Sequence, residues 1–211
     1  LYLITESHME SLDENLSPRH ESDYGTAHPF VARLVIQTRD ILQESGFSCE
    51  HKISIGTIYF SIHKRLLVCQ ETLERLKLSL QTALDRVPQK KDPRLKGVAF
   101  IPNLEGDTGN ILYELKNVLR DVVSILNTIY GKNFPEASAL CSQKPDTLPK
   151  AQSWAASQFG KNEPLCLMIG EEAEWIGELI GKRNAFEHPG GRSGTLHFEN
   201  IKLTNEDKML L

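Results

Sequence analysis

The chain has 211 residues, of which 40% are hydrophobic and 25% charged. That is enough apolar material for a packed core, and it excludes a disordered chain, a collagen-like repeat and a small disulfide-stapled scaffold. The net charge of -4 argues against a protein that coats duplex DNA through bulk positive charge, but not against a small local basic site.

In chain order, Leu1-Tyr2-Leu3-Ile4 is too short for the apolar core of a signal peptide, and no later stretch approaches a membrane span. The expectation is a cytoplasmic protein with no membrane partner. Residues 5–28 are polar and contain Pro18, so residues 1–28 read as an N-terminal arm. From Pro29, Phe30, Leu34, Ile41 and Leu42 mark a short first helix that Gly46 stops. Ile55, Ile58, Tyr59, Ile62, Leu66, Cys69, Leu73, Leu76, Leu80 and Leu84 then recur every three or four residues. That spacing predicts one helix of about nine turns, ended by Pro88. After a proline-containing loop, Asp107 or Thr108 is expected to cap a third helix. Its broad apolar face carries Ile111, Leu112, Leu115, Val118, Leu119, Val122, Ile125, Leu126 and Ile129, and Gly131 closes it.

A region punctuated by Pro135, Pro145 and Pro149 leads to a short helix around residues 151–159. Pro164 suits the first turn of a last long helix. Its stripe runs through Leu165, Met168, Glu172, Trp175, Ile176, Leu179 and Ile180 to Phe186, and Pro189-Gly190-Gly191 stops it. Leu196 and Phe198 alternate with polar residues, so residues 195–203 are expected to leave the bundle as a strand or hairpin beside the end of that helix. The fold class is therefore all-α: an up-and-down helical bundle over residues 29–192, with a short C-terminal strand or hairpin over residues 193–211.

Most familiar chemical motifs fail. Gly177-Glu178-Leu179-Ile180-Gly181-Lys182 has one residue too few for a phosphate loop and no strand before it. No G-x-S-x-G elbow is present for a hydrolase serine. Cys49, Cys69, Cys141 and Cys166 lie far apart without a C-x-x-C pair, as thiols of a reducing compartment do. Cys49, His51, His63 and Cys69 have no metal-ligand spacing, so no metal and no cofactor is expected. The acidic run Glu171, Glu172, Glu174 and Glu178 reads as a solvated face, with Glu178 four residues before Lys182.

One segment remains, Lys182-Arg183-Asn184-Ala185-Phe186-Glu187-His188-Pro189. Arg183 stands three, four and seven residues after Ile180, Leu179 and Ile176, so it projects from the apolar stripe. A guanidinium there must be paired, solvated in a cleft or covered by a partner. Asn184 and His188 are four apart and share a face at the helix end. Together the three offer a fixed charge, a polar orienting group and a side chain that titrates near neutrality, which is chemistry suited to a phosphate.

Arg183-Asn184 followed by three residues and His188, late in the last long helix of an α-bundle, resembles the R-x(4–6)-H motif of HEPN domains, which prefers a polar residue, often Asn, after the Arg. The bare pattern arises by chance about once in a chain of this size. Arg192…His197 is a second match, in a Gly-rich turn where that family places none. The resemblance implies a homodimer in which the Arg and His of two copies meet in a composite cleft. It implies metal-independent cleavage of RNA, with the ribose 2′-OH as nucleophile. His188 is then the general acid or base, Arg183 holds the scissile phosphate, and Asn184 orients His188 or contacts a phosphate oxygen. Lys182 and Arg192 flank the site as weaker candidates for substrate binding. The dimer interface is expected to include the helix of residues 164–188. The family also has members that bind nucleotides or scaffold assemblies, so a non-catalytic dimerisation or RNA- or nucleotide-binding module is the alternative. Whether an antidote or regulatory protein restrains the activity is left open by the sequence.

Overall fold

Two long helices packed side by side form the frame on which everything else is hung. The computed structural model describes residues 28–85, 100–142, 147–203 and 209–210, so the N-terminal arm lies outside the described residues except for His28. A helical run opens with α1 (Pro29–Val31), passes through a π-helical segment (Ala32–Gln37) and continues as α2 (Thr38–Glu44). It is followed by α3 (Cys49–Asp85), α4 (Leu104–Tyr130), a 3₁₀ turn (Ala137–Leu140), α5 (Lys150–Gln158) and α6 (Pro164–Glu187). The architecture is an all-α helical bundle.

The central helix is α4, because its apolar face is broad enough to serve two cores. Ile125 packs with Ile55 and Ile62 of α3, and Leu34 and Leu42 from the first helical run and Phe47 from the connection before α3 close that cluster. Leu119, Val123 and Leu126 turn the other way, onto Leu140 and Cys141, Ala151 and Ala155 of α5, and Cys166, Ile169 and Ile176 of α6. Polar bonds fix the register of α3 against α4. Arg65 donates to Glu114 at 2.6 Å and to Asp121 at 3.3 Å, and the Ser61 hydroxyl donates to Asp121 at 3.0 Å.

The sequence pattern places these helices within a few residues, with four differences. The first helix is interrupted by its π segment, and Ile41 is exposed while Val31 and Val35 are buried. The third predicted helix begins at Leu104, ahead of Asp107 and Thr108. Asp107 is no cap there because its carboxylate is engaged by Arg75 at 2.9 Å and by Asn103 at 2.9 Å. In α6 the stripe is rotated from expectation. Cys166, Ile169 and Ile176 are buried, whereas Met168 and Trp175 face outward and Trp175 donates to Glu172. Finally, residues 195–200 adopt no strand.

That last segment is held by side chains instead of a ladder. Phe198 meets Phe186 of α6 edge to face at 5.8 Å. The Asn200 amide accepts from Ile101 N at 2.9 Å and donates to Ile101 O at 3.0 Å, doing for one residue what a neighbouring strand would do. Ile201 then packs with Ile101 and Ala83. The extended structure comes later, where β1 (Lys202–Leu203) pairs antiparallel with β2 (Met209–Leu210). Among the described residues no helix is long and apolar enough to cross a membrane.

Candidate functional site

The end of α6 is where two core-facing rows run into charge. On α6 the buried residues Cys166, Ile169 and Ile176 lead, at helical spacing, through Ile180 to Arg183 and one turn further to Glu187. On α4 the buried row Leu112, Lys116, Leu119, Val123 carries an ammonium among aliphatic side chains. Since Leu119 and Val123 share a core with Ile169 and Ile176, the two rows face each other and bring Lys116 to the α6 terminus.

Arg183 is 13% exposed, and its guanidinium pairs with Glu187 one turn along. Its Nη1 also lies 3.4 Å from Asn184 Oδ1, and Lys116 Nζ approaches the same oxygen at 3.4 Å. These are long hydrogen bonds, so Asn184 Oδ1 is a shared but weak acceptor for two cations. Arg183 Nε is buried without a hydrogen-bond partner among the described residues. The charge on the apolar stripe is therefore both paired and set in a cleft, two of the three ways in which it can be tolerated. Burial lowers the Lys116 pKa from its ordinary value, and the nearby Arg183 and Arg120 lower it further, while Glu136 and Glu187 act in the opposite direction.

His188 ends α6, its backbone N–H donating to Asn184 O at 2.9 Å and its carbonyl accepting from Gly191 N at 2.9 Å. The chain reverses through Gly190, whose φ of 78° lies in the left-handed region that suits glycine. Gly190 N donates to Gly194 O at 3.2 Å and to the Thr195 hydroxyl at 3.0 Å, which closes the turn. The imidazole is left 71% exposed, with Nε2 3.7 Å from Glu187 Oε2. Glu187 thus pairs with Arg183 and approaches His188.

A cleft of about 470 Å³ opens between α4, the 3₁₀ turn and the α6 terminus. Lys116, Arg120, Glu136, Arg183, Asn184, His188 and the turn residues Gly191, Arg192 and Ser193 line it. It brings together Arg183, Asn184, His188 and Arg192 of the sequence-predicted site. Lys182 does not line it, and its ammonium pairs with Glu178 at 2.7 Å, as the spacing of four predicts. His197, from the second motif match, is exposed and also outside the lining. Lys116, Arg120 and Glu136 are additions from the fold, with Arg120 3.7 Å from Glu136. Four cationic side chains converge in a chain whose net charge is negative, so the positive potential is local and focused by the cleft walls. A guanidinium and an ammonium are phosphate-binding groups, and an accessible imidazole beside them is a proton-transfer group. Among the described residues, no three His, Cys, Asp or Glu side chains gather in a way that could hold a metal ion. No family model, curated protein or solved structure matches the chain.

Proposed function

We propose that the protein is a metal-independent endoribonuclease of the HEPN type, acting as a homodimer. The observation that carries this reading is the gathering of Arg183, Asn184 and His188 in one polar, positively charged cleft. In the reaction, His188 takes the proton from a ribose 2′-OH as its oxygen attacks the adjacent phosphorus. The bond from phosphorus to the 5′-oxygen breaks, and the leaving oxygen takes a proton from the second copy's His188. The products are a 2′,3′-cyclic phosphate and a 5′-hydroxyl. Arg183 neutralises the charge that develops on the non-bridging oxygens, an interaction that strengthens in the transition state. Asn184 acts on the phosphate side of the site, since its amide oxygen is turned to Arg183 and Lys116. Leu167, Met168 and Trp175, large apolar side chains exposed on α6 among the glutamates of its solvated side, support the dimer.

A second reading, a non-catalytic RNA- or nucleotide-binding module, is favoured by the engagement of Arg183 with Glu187. Incubation of the protein with single-stranded RNA in excess chelator separates the two. Cleavage to cyclic-phosphate ends, blocked by a single 2′-deoxy nucleotide at the cut position, is the outcome expected of the nuclease. RNA bound and left intact supports the binding module.

A further inference from the structure

Lys116 is an anomaly on its helix. It is 8% exposed on the core row of α4, yet its hydrogen-bond acceptor is the neutral Asn184 Oδ1 at 3.4 Å. Among the described residues no carboxylate lies within ion-pair distance of it; Arg183 and Arg120 act on it as like charges, and Glu136 and Glu187 act against them from further away. A buried ammonium next to like charges destabilises the folded chain. Retaining it makes sense where an anion supplies the missing countercharge. Arg120 stands one turn further along α4, at the same cleft, 47% exposed and only loosely joined to Glu136. Lys116, Arg120, Arg183 and Arg192, set against Glu136 of the lining and Glu187 on Arg183, leave the cleft a net positive charge of two, more than one phosphodiester monoanion neutralises.

We infer that Lys116 and Arg120 form a second phosphate subsite on α4, which holds a backbone phosphate of the RNA beside the one that Arg183 contacts. The inference deepens the nuclease reading and rests on it for the identity of the ligand, because phosphates in series belong to a polynucleotide strand. The subsite sets register: it fixes the strand against α4 so that the reacting phosphodiester meets Arg183 and His188. Lys116 and Arg120 are therefore positioning residues, expected to act mainly through binding and KM.

Binding can be measured without cleavage on a single-stranded 2′-O-methyl RNA, which lacks the nucleophile, as a function of salt. Each phosphate contact on a single strand contributes about 0.7 to the slope of log K against log salt. Lys116→Met and Arg120→Ala are each expected to lower the slope by about 0.7 and to weaken binding about fivefold at 0.1 M salt. Lys77→Ala, exposed on α3 and outside the cleft lining, should change neither. Arg120 is partly exposed, so its variant tests the subsite even if Lys116→Met folds poorly. Unchanged slope and affinity in folded Lys116→Met and Arg120→Ala would overturn the subsite, whether or not RNA is cut. If the parent ignores the oligonucleotide but binds inorganic phosphate or pyrophosphate in a Lys116-dependent way, the anion subsite stands for a small phosphorylated ligand and the nuclease reading fails. Binding of neither probe overturns both.

Discussion

Asp107 and Lys116 are the two buried charged residues of α4, and they meet opposite fates. Hydrogen bonds from Arg75 hold the Asp107 carboxyl below its ordinary value, with Asn103 assisting. A carboxylate lowered in the folded state contributes stability that is fully present above its unfolded pKa and is lost as pH falls through the folded one. Asp107→Asn is therefore expected to lower the thermal midpoint at neutral pH, with the gap to the parent closing under acid conditions. Lys116 runs the other way, because its lowered pKa means the folded chain resists its charged form. The penalty is fully present below the folded pKa and is relieved as pH rises through it towards the ordinary lysine value. In phosphate-free buffer at neutral pH, Lys116→Met should melt no lower than the parent, and any gain should shrink in alkaline buffer. A marked loss of thermal midpoint would show that the ammonium is already well compensated. Arg183 was legible in the sequence because a charge interrupts an apolar stripe. The same rule marks Lys116, four residues after Leu112 and three before Leu119. Arg120 and Glu136 carry no such mark, since nothing local separates them from ordinary surface charges.

At the scale of elements, the site depends on how closely α4 and α6 approach. Gly109 makes that approach possible: a Cβ built there would lie 2.3 Å from the Phe186 ring. Gly109→Ala must push α6 or the ring aside, which should destabilise the fold by about 1–3 kcal/mol in denaturant unfolding. Because Phe186 lies between Asn184 and His188, RNA binding should weaken in the same variant. Ile176→Ala, in the shared core, should cost about 2–5 kcal/mol through loss of buried surface and the cavity left behind. Helix existence and order were readable from the spacing of apolar residues, with Gly131 readable as the end of α4 and Pro164 as the start of α6. The rotation of α6 was not, because its sequence offers apolar residues on two faces and only the partners α4 and α5 choose between them. In the tail, Phe198 packs on Phe186 as expected, but the strand starts at Lys202, later than the alternation suggests, for a similar reason. Alternation around Phe198 suggests a strand, but the amide of Asn200 pairs with Ile101, 99 residues earlier in the chain, and a single-segment pattern cannot contain that contact.

For the whole molecule, the proposal of a dimer that works on a polyanion rests on the exposed Leu167, Met168 and Trp175 of α6 and on the basic cleft at its end. Sedimentation at micromolar concentration should give twice the 23.8 kDa chain mass, and Trp175→Glu, which puts a charge on the exposed face, should return it to the monomer. A parent protein that sediments as a monomer would remove the composite site from the nuclease reading. The most direct test is the rate of single-stranded RNA cleavage in chelator by the parent, His188→Ala and His197→Ala, each checked for folding and mass. Loss of the proton-transfer group should slow His188→Ala by about 10²–10⁴-fold, while His197→Ala, outside the cleft, keeps the parent rate. A folded, dimeric His188→Ala protein that cuts RNA as fast as the parent would contradict the assignment of the site.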